Sequence, residues 1–247
     1  MSVSRNGRVL EIAANSHLSA LAAQAGGADR IELCENLGEG GTTPSYGTLA
    51  MTRERLSIPI FVLIRPRAGD FLYDAREAEV MLHDIAACRQ LGCDGVVIGA
   101  LTPSGDVDLP LCRELVAAAS GMQVTFHRAF DAVRDPAAAL ESIIALGCHR
   151  VLTSGGQADA VQGATAIASH VRQAAGRLSI LAGAGLTPAN VAGLMNATGV
   201  TEVHASAKAR RATGMAFHNP ALTGLEYDRL ETDPDIVAAF RQALQGG

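Results

Sequence analysis

Residues 124–131 begin with an apolar run and end in His127, Arg128 and Asp131. A histidine there could donate or accept a proton near neutral pH, while Arg128 could neutralise an anion. Asp131 or Glu32 could orient the imidazole and set its tautomer. Charged groups at the outgoing end of a strand, directly before a helix, are typical of the ligand site of a (β/α) barrel. Alternatively, His127 and Arg128 only cap a strand and pair with surface carboxylates.

The same organisation recurs along the chain, because short β-type runs alternate with amphipathic segments rich in Ala and Leu. The predicted strands are residues 9–14, 30–35, 59–66, 95–101, 122–130, 150–155, 178–183 and 202–207. Helices with recognisable starts are predicted at 17–25, 137–146 and 189–196. Eight such units predict a TIM (β/α)8 barrel within a single domain of residues 1–247. The barrel spans about 9–207, and the C-terminal extension 208–247 is read as a loop over the barrel mouth (208–223) and a packing helix (233–245).

Alternation along the predicted strands places titratable side chains inside the barrel. The inward residues of interest are Glu11, Glu32, Cys34, Arg65, His127 and His204. Burying an unpaired charge is costly, so these side chains must compensate one another or meet a ligand. Arg65 against Glu32 or Glu11, with the histidines as hydrogen-bond bridges, would be self-consistent. The alternative is a satisfied polar cluster that only fixes the register of the strands.

The inward residues could perform general acid–base chemistry. Glu32 or Glu11 with His127 could transfer protons on a small carbonyl or phosphorylated substrate, which Arg65 and Arg128 would bind through its anion. This hypothesis is an isomerase- or lyase-like enzyme with His127 and Glu32 as candidate catalytic residues. The charged interior argues against a pure scaffold role.

Glycine-containing loops follow several predicted strands. Ser154 after the sixth strand, with Gly183 and Gly185 after the seventh, could bring backbone N–H groups close to an anion. In phosphate-binding TIM barrels that site comes from the loops after strands seven and eight, and residues 183–185 are similar to that loop of phosphoribosyl isomerases. A tight glycine turn without a ligand is the alternative.

Composition excludes several classes of protein. Of the 247 residues 48% are hydrophobic and 18% charged, which is typical of a compact α/β protein. With a formal net charge of -5 and no basic arm, neither nucleic acid nor an anionic membrane is an expected partner. The start lacks a signal-peptide core, and the 5 scattered cysteines fit reduced thiols, so we expect a cytoplasmic protein.

Six longer strings together resemble the CutC copper-homeostasis family. They are GGADRIELC at 26–34, GGTTPS at 40–45, IRPRAGDFLY at 64–73, TFHRAFD at 125–131, RVLTSG at 150–155 and EVHASA at 202–207. Strings of this length are far more specific than short motifs, and they cover the chain from about residue 10 to residue 207. One departure lies at 181–185, where LAGAG stands in place of the family's more usual methionine, proline and three glycines.

The resemblance implies a TIM barrel, a cytoplasmic location, a homodimer or higher homo-oligomer, and a role in copper homeostasis with copper as a candidate ligand. Cu(I) prefers thiolate, thioether or imidazole ligands, yet the sequence has no Cys-x-x-Cys, Met-x-x-Met or His-rich tract. Only Cys34 lies at the outgoing end of a predicted strand, so it is the candidate metal ligand, with His127 and His204 as groups that could reach it. Two functions are left open, namely copper binding and acid–base catalysis on a small anionic substrate.

Overall fold

Eight parallel strands close into a barrel in chain order, in a computed structural model that describes residues 7–224 and 226–246. The strands are β1 (Val9–Ala14), β2 (Arg30–Leu33), β3 (Ile60–Leu63), β4 (Gly95–Ile98), β5 (Gln123–Phe126), β6 (Arg150–Thr153), β7 (Ser179–Gly183) and β8 (Glu202–Ala205). The parallel pairing of β1 with β8 closes the ring. The predicted TIM (β/α)8 barrel is confirmed.

Helices cover the outside of the barrel and begin at short polar caps. They are α1 (His17–Ala25), α2 (Tyr46–Arg55), α3 (Ala75–Gln90), α4 (Leu109–Ala118), α5 (Pro136–Ala145), α6 (Ala164–Ala174), α7 (Val191–Thr198) and α8 (Pro234–Gln245). Ser16 accepts the Ser19 N–H at the start of α1, and Asp74 and Glu77 form a capping box at the start of α3. None of the helices in the described ranges is long and apolar enough to cross a membrane.

The fifth strand is shorter than the predicted range 122–130. It ends at Phe126, and a 3-10 helix, Arg128–Ala132, follows directly. The cause is local, because the His127 side chain accepts the N–H of Ala129 and so caps that turn. The turn carries Arg128 and Asp131 away from the strand direction toward the barrel mouth.

The C-terminal extension differs from the predicted loop at 208–223. Lys208–Arg211 forms strand β9, which pairs antiparallel with strand β10 (Arg229–Thr232). Across this hairpin Arg210 pairs with Asp228 at 2.8 Å. The Thr232 N–H donates to the hydroxyl of Ser19 on α1, which fixes the hairpin to the barrel. The final helix α8 lies within the predicted range 233–245.

A cluster of buried ion pairs lies inside the barrel. The Arg30 guanidinium pairs with Glu11 and, at 2.6 Å, with Glu202, which also lies 3.2 Å from Arg150. Both guanidinium carbons lie over the ring of Phe61, at 5.3 Å from its centroid for Arg30 and 4.9 Å for Arg150. The interior charges therefore compensate one another and also gain a cation–π contact.

The predicted pairing of Arg65 with Glu32 or Glu11 is wrong. Arg65 donates instead to the backbone carbonyls of Glu39, Gly41 and Gly69, in the loops that follow β2 and β3. Arg30, which shares the inward face of β2 with Glu32, takes the place predicted for Arg65.

Replacing Arg30 with Met should strongly destabilise the fold, because Glu11 would remain buried without its guanidinium partner. We expect the free energy of unfolding to fall by about 3–5 kcal/mol, measured by urea denaturation at neutral pH. The control is Arg134→Ala, which removes an exposed pair with Asp106 and should cost less than about 1 kcal/mol. Equal losses in the two variants would contradict the role assigned to the buried cluster.

Candidate functional site

A cavity of about 1240 Å³ opens where the barrel strands end. Loops after β2, β3, β5, β7 and β8 form its wall, together with the first turns of α8. The predicted site residues that line it are Glu32, Arg65, His127, Arg128, Asp131, Gly185 and His204. Among the described residues, the predicted site members Glu11, Cys34, Ser154 and Gly183 lie outside the lining.

A chain of titratable side chains connects the barrel interior with the cavity floor. The Oε1 atom of Glu11 lies 2.8 Å from His204 Nδ1, and His204 Nε2 lies 3.7 Å from Glu32 Oε2. Neighbouring strands hold them in place, since Glu11 and His204 are register partners on β1 and β8, and Glu32 lies on β2 beside β1. His204 therefore links the two carboxyl groups, through a hydrogen bond to Glu11 and a longer contact to Glu32. His127, the other histidine predicted as a hydrogen-bond bridge, bonds to the Ala129 N–H instead.

Burial and neighbouring charges set different protonation states along this chain. Burial raises the pKa of Glu32 to about 7, although His204 favours its charged form. Burial would also raise the pKa of Glu11, but Arg30 and His204 together hold it far below its ordinary value. The pKa of His204 is raised because the bond to Glu11 and the charge of Glu32 outweigh its burial. Near neutral pH, Glu32 is thus a member of this chain that gains and loses a proton.

His127 is a neutral hydrogen-bond donor. Burial and the neighbouring charge of Arg65 lower its pKa to about 3. Its Nδ1 atom accepts the Ala129 N–H at 3.1 Å, which places the ring proton on Nε2. The predicted orientation of His127 by Asp131 or Glu32 is wrong, because this backbone N–H sets the tautomer. The Nε2 atom has no hydrogen-bond partner among the described residues.

Arg65 lies beside His127 and also carries an unpaired donor. Its Nη atoms are held by backbone carbonyls, whereas its Nε has no partner in the described part of the chain. Phe71 lies against both side chains, with its ring centroid 5.0 Å from that of His127 and 5.2 Å from the Arg65 guanidinium carbon. Buried donors without acceptors are costly, so an acceptor oxygen that reached these two N–H groups would relieve that cost.

Asp131 is a structural anchor for two loops. Its carboxylate accepts from Thr153 Oγ1 at 2.5 Å, from the Gly156 N–H at 3.0 Å and from Arg128 Nε at 2.8 Å. Burial would raise its pKa, but these bonds hold the pKa below its ordinary value. The Ser154 hydroxyl accepts from Arg128 Nη2 at 2.9 Å. Asp131 and Ser154 therefore position the Arg128 guanidinium at the cavity edge.

Packing accounts for the two glycines of the loop after β7. A Cβ on Gly183 would lie 2.7 Å from Leu152 Cδ1 and 3.2 Å from His204 Cβ, so the glycine leaves room for the histidine. Gly185 has a φ of +68°, and a Cβ there would lie 2.6 Å from the Cβ of Asp159. The backbone anion site predicted at this loop stays a prediction.

The Cys34 side chain is enclosed within the barrel. It lies in a small apolar cluster with Phe61, Leu63 and Val97, and its sulfur is 3.7 Å from the Ala14 carbonyl oxygen. Burial, with the charge of Glu32, raises the pKa of this thiol well above its ordinary value. Across residues 7–224 and 226–246, no three His, Cys, Asp or Glu side chains form a group that could hold a metal ion.

Several site residues escaped the sequence reasoning. Arg30 and Arg150 lie inside the barrel, although strand alternation, which selected Glu32, also places Arg30 on the inner face. Phe71, Lys208 and Phe240 line the cavity from a loop, from β9 and from α8. No local pattern indicates these last positions, because they reach the site only through long-range packing.

Glu32→Gln should change how stability depends on pH. The pKa of Glu32 is about 7 in the folded chain and 4.5 ordinarily, so between these values the folded state binds more protons than the unfolded state. Wild-type stability should therefore fall as pH rises through this window, by roughly 1–3 kcal/mol more than in the variant. Urea unfolding at both ends of the window measures this, with the exposed Glu54→Gln as control. Parallel profiles for wild type and Glu32→Gln would contradict the raised pKa.

Comparisons with known proteins identify the family. A sequence model described as the CutC family matches residues 8–209. The chain is 55% identical over 236 residues to a family protein CutC of Xanthomonas campestris pv. campestris, covering 96% of this chain and 98% of that protein. It is 53% identical over 242 residues to one of Chromobacterium violaceum, with 96% and 98% covered. A solved CutC structure from Streptococcus agalactiae, 32% identical, matches with a TM-score of 0.78 over 81% of this chain and 98% of that chain. The chain belongs to the CutC family.

Proposed function

We propose that this protein is an acid–base enzyme that moves a proton next to the carbonyl group of a small anionic substrate. One observation carries the proposal. A buried carboxyl group with a pKa of about 7, on Glu32, borders the same cavity as two buried residues whose N–H donors lack acceptors, His127 and Arg65. A proton-transferring group beside unpaired donors is the arrangement that stabilises an enolate.

Glu32 is the group that transfers the proton. In its ionised form it takes a proton from the carbon next to the substrate carbonyl, and the electron pair of that C–H bond moves toward the carbonyl oxygen. In its protonated form it returns the proton to the former carbonyl carbon, while the proton of the neighbouring substrate hydroxyl passes to the enolate oxygen, which completes an isomerisation of a hydroxy-carbonyl compound. A pKa near the working pH suits both steps, because neither form is scarce.

His127 and Arg65 bind the substrate oxygen on which negative charge develops. A neutral imidazole with its proton on Nε2 donates a hydrogen bond without competing for the substrate proton. The Arg65 guanidinium adds a positive charge, and its backbone bonds hold it in place before the substrate arrives. His204 contributes indirectly, since its bonds to Glu11 and its proximity to Glu32 fix the carboxyl group at the cavity floor.

Solvent deuterium exchange tests the proposal. In D₂O the wild type should incorporate deuterium next to the carbonyl of dihydroxyacetone phosphate or hydroxyacetone phosphate, followed by proton NMR. Glu32→Gln and His127→Ala should each slow the exchange by about 100-fold, whereas Glu54→Gln should leave it unchanged. The proposal would be contradicted if neither compound exchanged faster with the protein than in buffer alone. Equal exchange rates in Glu32→Gln and wild type would also contradict it.

Copper binding is the other hypothesis, and the donor set of this chain does not fit it. The related Streptococcus agalactiae protein is provisionally named for copper homeostasis. Here the candidate ligand Cys34 is fully buried and its raised pKa keeps the thiol protonated, while Cu(I) prefers thiolate. His127 and His204 do not join it in any group of three potential ligands among the described residues.

A Cu(I) competition titration separates the two hypotheses. Under anaerobic conditions, wild type and Cys34→Ser should compete equally poorly with a chelator of known affinity, because the buried thiol offers no ready ligand. Tight binding of one equivalent that Cys34→Ser abolishes would overturn this expectation and favour the copper hypothesis.

The cytoplasmic location remains part of the proposal. All five cysteines are buried and free of disulfide bonds, which supports a reducing compartment.

A further inference from the structure

We infer that Lys208 binds the anionic end of the substrate and that the substrate is a phosphate monoester. This inference rests on the proposed function, because Lys208 at the rim lines the same cavity as Glu32 and His127 at the floor. Lys208 is the only lysine in the 247-residue sequence, in which every other strongly basic side chain is an arginine. Its side chain lines the cavity.

The backbone around Lys208 is held firmly. Lys208 opens β9 three residues after β8 ends with Ala205, and it is the register partner of Thr232 on β10. The Asp233 N–H donates to the Ala207 carbonyl oxygen at 2.8 Å, which ties the start of α8 to the same place. The backbone that carries the exposed Lys208 side chain is therefore fixed beside the cavity.

Lys208 differs from the arginines of this cavity in its surroundings. The Arg65 Nη atoms donate to backbone carbonyls, and Arg128 is paired with Asp131. Lys208 forms no ion pair with any side chain in residues 7–224 and 226–246. An ammonium is a compact point charge with freely turning donors, which suits a phosphate group.

Part of the wall between the floor and the rim is apolar, although the Asp235 carboxylate of α8 also lines the cavity. Leu186 and Pro188 from the loop after β7 face the same cavity as Ile236 and Phe240 of α8. A ligand that satisfies all three regions has an acceptor oxygen at one end, a carbon chain in the middle and an anion at the other end. A small phosphorylated carbonyl compound has this order of groups.

The single lysine allows a direct test with inorganic phosphate as the probe. Acetylation by an N-hydroxysuccinimide ester, read by mass spectrometry, reports Lys208 alone, with the α-amino group of the chain as internal reference. Phosphate should slow the acetylation of Lys208 by about tenfold and leave the α-amino group unaffected. Equal protection by sodium chloride at the same ionic strength would overturn the inference, because it would show only charge screening.

Variants locate the bound phosphate and separate the two proposals. By calorimetry, Lys208→Ala should weaken phosphate binding by about tenfold, and Lys208→Arg should restore most of it. The control Arg211→Ala removes a charge from the same strand, where Arg211 pairs with Asp233 outside the cavity lining, and should bind phosphate as wild type does. Unchanged binding in Lys208→Ala would sink the inference.

Glu32→Gln decides whether the floor and the rim act separately. If phosphate still protects Lys208 from acetylation in Glu32→Gln, the result supports a phosphate site at the rim. This conclusion holds even if wild type shows no deuterium exchange, which would contradict only the proposed function. Loss of protection in Glu32→Gln would place the phosphate at the floor and overturn the inference. Borohydride trapping of dihydroxyacetone phosphate on Lys208 would also overturn it, because the amine would then be a nucleophile.

Discussion

The site depends on one ionised carboxylate inside the barrel, that of Glu11. A charge at this depth is tolerable only because Arg30 pairs with it from the neighbouring strand and His204 bonds to its other oxygen. The carboxylate in turn raises the pKa of His204 and fixes its ring, so that Nε2 lies 3.7 Å from the carboxyl group of Glu32. The position of Glu32 and His204 at the cavity floor therefore depends on the ion pairs inside the barrel. The charges of those pairs also help to set the pKa values of both groups.

The floor brings together an acidic and a basic side chain, Glu32 and His127, whose charged forms are both disfavoured. Burial raises the pKa of Glu32 to about 7. Burial and the charge of Arg65 lower the pKa of His127 to about 3, which keeps its imidazole uncharged. Both effects come from withdrawing side chains from water in a small volume, rather than from a single ion pair. An uncharged imidazole beside a carboxyl group that can change its protonation state near neutral pH supplies the groups that the proposed proton transfer requires.

The sequence predicted the barrel because parallel strands covered by helices leave continuous apolar runs, and strand alternation then selected the inward residues. Burial of Glu11, Glu32 and His127 agrees with that reasoning. The pairing partners of these side chains were harder to predict. Strand alternation tells which face a side chain is on, but not which residue across the barrel it contacts. Arg65 illustrates this limit, since its backbone acceptors come from loops whose course no periodicity encodes. The β9–β10 hairpin was missed because its strands are polar and pair across a long connection.

The cavity draws on two separate stretches of the chain. Its floor comes from the barrel, within the residues 8–209 that the family model matches. Part of its wall comes from α8, which begins at Pro234 and lies beyond that range, yet reaches the mouth through the hairpin that docks on α1. The titratable groups of the floor and part of the cavity wall therefore belong to different segments, so changes in the C-terminal segment can alter the shape of the cavity while Glu32 and His127 stay where they are.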